Sequence, residues 1–146
     1  MSNIRTAVNE DLCRICEIEI FNYRLYFYPI FKSDEFYFAD LQVTSLMKKY
    51  ENDLSDFHVY DDGVIKGFIE IRDDEVIKLF VEPVLHDRKI GSALLEYAIN
   101  EFDVKKLWAL EKNKKAIAFY ERFGFKPSGE RKREEGTDED LVLLVR

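Results

Sequence analysis

A polar turn and a single glycine stand between two apolar stretches in the run VEPVLHDRKIGSALL, residues 81–95. Pro83 closes the first stretch, because proline cannot donate to a strand ladder. The second stretch has its apolar residues at helical spacing from Ile90 onward. A turn that leads into a helix aims several unpaired backbone N–H groups at one point, and the helix dipole favours an anion there. The run therefore suits a phosphate-binding loop, although any strand-to-helix junction has the same N–H groups.

The side chains of this loop add to that interpretation. Gly91 permits a close backbone approach, and His86, Arg88 and Lys89 bring positive charge to the turn. A ligand as large as a diphosphate needs both features.

A second run, NKKAIAFYERFGF at residues 113–125, predicts a helix with one apolar face. Ala116, Phe119, Tyr120 and Phe123 share that face, and Gly124 ends the helix. From the residues of this run alone, we interpret Tyr120 as a core tyrosine and Asn113 as a helix N-cap.

Together the two runs resemble the motifs of the GNAT N-acetyltransferases. The first is similar to the family's pyrophosphate motif, V-x-P-x-x-(Gln/Arg)-x-x-Gly-x-(Gly/Ala). The second is similar to its Asn-x-x-Ala-x-x-Phe-Tyr-x-x-x-Gly-Phe signature, matched by Asn113, Ala116, Phe119, Tyr120, Gly124 and Phe125. The resemblance extends over the C-terminal 45% or so of the chain, from Val81 to Val145.

The first motif departs from the family pattern at two positions. Aligned through Val81, Pro83 and Gly91, it has His86 at the Gln/Arg position and Lys89 in place of the first glycine. Lys89 can be accommodated if its backbone φ is negative and its ammonium turns to solvent or to phosphate. The alternative register takes Arg88, Gly91 and Ala93 as the motif residues. Asp87 repels a diphosphate unless its side chain points away.

The resemblance implies that acetyl-CoA is the co-substrate and that the acceptor is a primary amine. It implies that a backbone N–H of Val81 stabilises the oxyanion of the tetrahedral intermediate and that the side-chain amide of Asn113 contacts the pantetheine arm of the cofactor. It also implies that Tyr120 is the acid that protonates the leaving thiolate. The full set of implied cofactor-binding residues is Phe80, Val81, His86, Asp87, Arg88, Lys89, Ile90, Gly91, Ser92, Asn113, Ala116, Phe119 and Tyr120.

The general base is less determined. The resemblance favours Glu75, because some protein acetyltransferases of the family have a glutamate at that place, and Glu70, Glu82 and Glu111 are further candidates. Relatives that acetylate protein N-termini have a glutamate five positions before the motif asparagine, where this chain has Trp108. The base is Glu75, a water chain or no specific group.

The acceptor site is expected in the N-terminal half, where residues 21–38 are dense in aromatic side chains. Tyr23, Tyr26, Phe27, Tyr28 and Phe31 either fill the core or line a slot for the apolar stem of an amine. Two other functions stay open: a non-catalytic acyl-CoA-binding or sensor domain, and a domain that has lost CoA and serves only protein contacts.

These residues require a mixed α/β fold to position them. Helices are expected from Asn9 or Asp11 and from about Asp34 to Tyr50, followed by three strands separated by Asp-Asp-Gly and Asp-Asp turns. A strand at KKLWAL and strand-like stretches at 125–129 and 141–145 complete the order. The resemblance implies the GNAT fold, a central mixed, mostly antiparallel, twisted sheet flanked by about four helices.

Length and composition limit the function classes. The 146 residues, 47% hydrophobic, predict one domain over 1–146. A net charge of −7 argues against nucleic-acid binding. No apolar run is long enough for a membrane helix or a signal peptide, so we expect a cytoplasmic protein, monomeric or homodimeric. Cys13 and Cys16 lack a second ligand pair, which predicts free thiols and no metal site.

Overall fold

The computed structural model describes residues 2–86 and 89–146. Its α-helices and β-strands are, in chain order, β1 Ile4–Thr6, α1 Leu12–Asn22, α2 Tyr28–Phe31, α3 Val43–Tyr50, β2 Phe57–Asp61, β3 Ile65–Arg72, β4 Glu75–Val81, α4 Ile90–Phe102, β5 Lys106–Leu110, α5 Lys114–Glu121, β6 Lys126–Arg133 and β7 Asp140–Val145. Short 3-10 turns lie at Asn9–Asp11, Leu54–Asp56 and Pro83–Leu85, and π-helical turns at Tyr23–Phe27 and Glu35–Asp40.

The seven strands form a mixed sheet in the order β1-β2-β3-β4-β5-β7-β6. β1 with β2, β2 with β3, β5 with β7 and β6 with β7 are antiparallel. β4 and β5 are parallel, and their described ladder consists of Glu75 with Lys106 and Val76 with Leu107. This is the mixed, mostly antiparallel sheet that the sequence predicts.

The chain divides into two compact units. The first comprises residues 2–70 and 78–97, and the second comprises residues 71–77 and 98–146. The interpretation of residues 1–146 as one domain stays a prediction.

The first unit is built on the apolar face of α1. Ile15, Cys16 and Ile18 are fully buried there, in one cluster with Phe57 and Phe68 of the sheet. Ile15 and Ile18 are three residues apart, which places both on one face of the helix, and burial of each such side chain contributes about 1.5–3 kcal/mol.

A charged group lies inside this apolar layer. Glu19 of α1 is fully buried, its carboxylate 2.9 Å from the Lys78 ammonium and 2.9 and 3.0 Å from the Tyr50 hydroxyl. The Lys78 ammonium also contacts that hydroxyl. Burial, and secondarily the charge of Glu19, raises the pKa of Tyr50. The carboxylate is thus paired, as a buried charge must be.

The second unit has β5 and β7 at its centre. Leu107 and Leu144 pair across these strands and are almost fully buried, as is Phe125 after α5. β6 is exposed along its whole length and has an irregular register between Pro127 and Arg131. Lys132 lies over the Trp108 ring, 4.3 Å from its centre.

Several sequence-based boundaries were wrong. The predicted helix from Asp34 to Tyr50 is interrupted at Leu41, whose backbone is extended at φ −82° and ψ 93°. The strand β1 was not predicted, because three residues are too few to show alternation. The strand expected over 125–129 instead spans Lys126–Arg133.

Among residues 2–86 and 89–146, no helix has both the length and the apolar composition that crossing a bilayer requires. Within the same residues, no three His, Cys, Asp or Glu side chains group in a way that could hold a metal ion.

Candidate active site

The C-terminal end of β4 presents the backbone groups of Val81. The N–H of Glu82 donates to the carbonyl of Lys66 on β3, at 2.9 Å. Successive residues of a strand direct their N–H and C=O groups to opposite edges. The N–H and C=O of Val81 therefore face the edge of β4 that points away from β3.

The carbonyl oxygen of Val81 is engaged by two side chains. Asn22 Nδ2, at the end of α1, donates to it at 2.9 Å, and His86 Nε2 lies 3.2 Å away. A carbonyl oxygen has two lone pairs, so these two donors use its accepting capacity. Of the Val81 backbone groups on this edge, only the N–H is left to serve a ligand.

His86, at the Gln/Arg position of the motif, is turned toward the protein. Its Nδ1 lies 3.3 Å from the hydroxyl of Tyr26, and the two rings stack at 5.4 Å with an angle of 13°. Its backbone N–H donates to the Pro83 carbonyl at 3.3 Å. The imidazole nitrogens thus contact protein groups rather than pointing into an anion site. The predicted cofactor residues Asp87 and Arg88 lie outside the described residues.

Lys89 has a positive φ of 63°, so the condition of a negative φ is not met. This left-handed conformation is the one in which glycine, the residue of the family pattern here, carries no penalty. The Lys89 carbonyl accepts from the N–H of Ala93 at 3.0 Å, so α4 starts directly after it. As the first residues of α4, Ile90, Gly91 and Ser92 have N–H groups without partners inside the helix.

Gly67 of β3 is a contributor that sequence reasoning missed. A Cβ at this position would lie 3.0 Å from the Phe80 carbonyl oxygen and 3.2 Å from side-chain atoms of both Ile90 and Leu94. The glycine therefore lets the first turns of α4 pack closely on the strands. An isolated glycine inside a strand pattern was the available signal.

Phe80 contributes to packing with its ring. The ring lies 5.3 Å from that of Tyr23, 5.8 Å from Phe68 and 6.4 Å from Phe27. These contacts place Tyr23 and Phe27 in the core layer, whereas Tyr26 is 43% exposed. Exposed apolar side chains of the same region are Phe21, Leu25, Phe36 and Phe38.

In the second unit, Asn113 is the N-cap of α5. Its Oδ1 accepts from the N–H of Ala116 at 3.2 Å, and its backbone carbonyl accepts from Ile117 at 3.1 Å. The N-cap role from the sequence is confirmed. It uses the oxygen of the amide and leaves Nδ2 for a further contact.

Tyr120 is half-buried on α5, with its ring 5.2 Å from Phe119 and 6.1 Å from Phe125. Burial raises its pKa to about 12. Within the described part of the chain, its hydroxyl has no hydrogen-bond partner. The phenol is protonated at neutral pH and available as a donor.

The candidate bases occupy different surroundings. Glu75 is the half-buried first residue of β4, opposite Lys106, and lies six residues before Val81, about 20 Å of extended chain. Glu111 forms an ion pair with Arg131, and this contact lowers the pKa of the carboxyl. Glu82 lies 2.8 Å from Arg14, and Glu70 is buried in β3.

A groove of about 460 Å³ lies in the second unit between α5 and the β6–β7 hairpin. Ile117, Pro127 and Val142 form its apolar part. Charged side chains border it: Glu111, Lys114, Glu121 and Arg131.

The chain is similar to known proteins in sequence pattern and in fold. Residues 29–138 match the family model described as an acetyltransferase (GNAT) domain. An N-acetyltransferase from Staphylococcus aureus Mu50 is 16% identical, with a TM-score of 0.77 over 98% of this chain and 99% of the other. The PaiA N-acetyltransferase of Thermoplasma acidophilum, solved with coenzyme A, is 21% identical, with a TM-score of 0.63 over 98% of both chains.

A third similar structure is YncA of Salmonella typhimurium, solved with acetyl-CoA. It is 17% identical, with a TM-score of 0.67 over 98% of this chain and 91% of the other. At these identities the structures establish the fold, and the family model spans most of the sequence. The chain belongs to the GNAT acetyltransferase family.

Proposed function

We propose that this protein is an N-acetyltransferase that moves the acetyl group of acetyl-CoA to a primary amine by direct attack in a ternary complex. The observation that carries the proposal is the left-handed backbone of Lys89, at the position of the family pattern's first glycine and directly before α4. A glycine would adopt this backbone conformation without strain, and the free N–H groups of α4 that suit an anion follow directly.

The diphosphate of acetyl-CoA is proposed to bind at the first turn of α4. Ile90, Gly91 and Ser92 supply backbone N–H groups there, and the exposed side chain of Lys89 supplies a positive charge. Asp87 and Arg88 stay predicted members of this loop.

The thioester carbonyl is proposed to accept a hydrogen bond from the N–H of Val81. This group faces the edge of β4 away from β3, where the described ladder with β5 covers only the first two residues of the strand. One such donor to a developing oxyanion is typically worth about 3 kcal/mol.

Asn113 and Tyr120 are proposed to serve the rest of the acetyl-CoA arm, with Ala116 and Phe119 beside them. Asn113 has Nδ2 left for the pantetheine arm, since its Oδ1 caps α5. Because burial raises the pKa of Tyr120 to about 12, full proton transfer to the departing thiolate is uphill. Tyr120 therefore acts mainly as a hydrogen-bond donor that stabilises the departing sulfur.

In the reaction, the amine nitrogen forms a bond to the thioester carbon, and the carbon–sulfur bond breaks with its electron pair leaving on sulfur. The ammonium must first lose a proton, because its ordinary pKa is near 10.4. Glu75 is the proposed acceptor of that proton. A water chain and no specific group are the alternatives.

The acceptor is proposed to be a protein lysine, a protein N-terminus or a small amine. The half-exposed ring of Tyr26 and the exposed Phe36 and Phe38 offer apolar surface to the stem of such a molecule. We retain the predictions of a single domain in the cytoplasm that is a monomer or a homodimer.

A free-thiol assay tests the proposal. The purified protein is incubated with acetyl-CoA and one amine at a time: spermidine, free lysine, or a peptide that contains unacetylated lysine. The released CoA thiol is measured, and the mass of the amine shows whether it has been acetylated. Thiol release matched by acetylated amine supports the proposal. CoA binding without turnover on a broad amine panel would favour the sensor alternative, and the absence of binding would favour a domain for protein contacts.

A further inference from the structure

Two side chains contact the carbonyl of Val81, those of Asn22 and His86, and a third, Tyr26, contacts the ring of His86. Asn22 is 3% exposed, and both of its Nδ2 hydrogens are used, toward the carbonyls of Ile18 at 2.8 Å and Val81 at 2.9 Å. Since both partners are acceptors, the amide nitrogen must face them. The orientation of Asn22 is therefore fixed by the backbone around it.

The tautomer of His86 follows from the same reasoning. A carbonyl oxygen can only accept, so the Nε2 that lies 3.2 Å from the Val81 carbonyl carries the proton. In the neutral ring, Nδ1 then has the lone pair and accepts the hydroxyl hydrogen of Tyr26. The stacked Tyr26 ring holds the plane of the imidazole.

These bonds hold the peptide that follows Val81 from one edge, while the N–H of Glu82 in the same peptide is held by Lys66 from the other. The end of β4 is thus fixed on both edges, and with it the direction of the Val81 N–H. A donor for an oxyanion loses most of its value when it is misplaced, since an error of 1 Å can cost about a hundredfold in rate.

We propose that Asn22 and His86, the latter held by Tyr26, are positioning residues that aim the Val81 N–H at the thioester carbonyl. This inference rests on the proposed function. In this inference, the imidazole at the motif's Gln/Arg position aligns the end of β4 and does not bind a phosphate. It also implies that the cofactor arm cannot donate a hydrogen bond to the Val81 carbonyl while both contacts persist.

Variants of His86 test the inference, since this half-buried loop residue is easier to replace than the buried Asn22. His86→Phe keeps an aromatic ring beside Tyr26 but removes the donor to Val81, whereas His86→Gln can restore a donor. For His86→Phe we expect kcat to fall roughly ten- to a hundredfold with the Kd for CoA changed by less than about threefold, and for His86→Gln a partial recovery. Tyr60→Phe, which removes a remote tyrosine hydroxyl that accepts from Asn3, is the control variant and should leave kcat unchanged.

Unchanged kcat in His86→Phe, or equal losses in kcat and CoA affinity, would overturn the inference, because equal losses indicate only an anchor for the loop. A second measurement needs no turnover. The chain has two histidines, so the ring nitrogens of His86 can be identified by ¹⁵N NMR at about pH 8 with His86→Phe as reference. The neutral Nε2–H tautomer is expected, and the Nδ1–H tautomer would overturn the inference even if no amine were acetylated. If only the proposed function is wrong, the wild-type protein acetylates no amine while its His86 ring still shows the expected Nε2–H tautomer.

Discussion

Lys89 lies in the left-handed region at φ 63° while its carbonyl accepts the N–H of Ala93 in the first turn of α4. A side chain in this region costs about 1–2 kcal/mol relative to glycine. We therefore expect Lys89→Gly to raise the free energy of unfolding by about 1 kcal/mol, measured by urea denaturation. Ala118→Gly, at the exposed fifth residue of the eight-residue helix α5, is the control and should lose about 1 kcal/mol. Equal destabilisation by both changes would contradict the left-handed assignment.

Tyr120→Phe should lower kcat by roughly a hundredfold if the hydroxyl stabilises the leaving sulfur, with little change in the Kd for CoA. Tyr60→Phe serves again as the control variant. A Tyr120→Phe enzyme with full kcat would show that the residue only packs α5 against Phe125.

The raised pKa of Tyr120 also predicts the alkaline side of the pH–rate profile. Because burial raises this pKa to about 12, the phenol stays protonated throughout the range from pH 7 to about 10. Ionisation of Tyr120 should therefore cause no loss of kcat in that range. A fall near pH 9 that is absent in Tyr120→Phe would contradict the environment described for this residue.

The local structure around the candidate site could be predicted from the sequence, whereas the contacts between distant residues could not. Asn113 and Tyr120 were correctly predicted to lie at the cap and on the apolar face of α5, because both features belong to one helix. The meander of β2 to β4 was correctly predicted because aspartates mark its turns. The link from Asn22 to Val81 joins residues 59 positions apart and leaves no trace in either local pattern. The positive φ of Lys89 was missed because a lysine gives no signal for it.

Removing one partner of the buried Glu19–Lys78 pair should cost about 3–5 kcal/mol, because it leaves an unpaired charge among apolar groups. We expect Lys78→Met to show this loss in urea denaturation and Lys78→Met with Glu19→Gln to recover part of it. The surface pair of Lys112 and Glu139 is the control, and Lys112→Met should cost less than about 1 kcal/mol. Similar losses at both sites would contradict the buried ion pair.

Asp11 should make stability sensitive to acid. Its carboxylate lies 2.7 Å from Arg5, and this hydrogen bond lowers the pKa of the carboxyl. A carboxyl whose pKa is lower in the folded than in the unfolded protein stabilises the fold. This contribution is fully present above the unfolded-state pKa of about 3.9 and is lost as the pH falls through the lower folded-state pKa. Urea midpoints from pH 7 down to about 2 should fall less in Asp11→Asn than in the wild type, whereas Asp138→Asn, at a fully exposed site, should follow the wild type. Parallel curves for Asp11→Asn and wild type would contradict this role.

Calorimetric titration of the wild-type protein with acetyl-CoA tests the central claim most directly, because every proposed step requires the cofactor to bind at the start of α4. The account predicts saturable binding with a Kd in the micromolar range, weakened by added inorganic pyrophosphate that competes for the same N–H groups. The absence of heat at millimolar acetyl-CoA, together with no CoA retained by the protein in mass spectrometry, would contradict it.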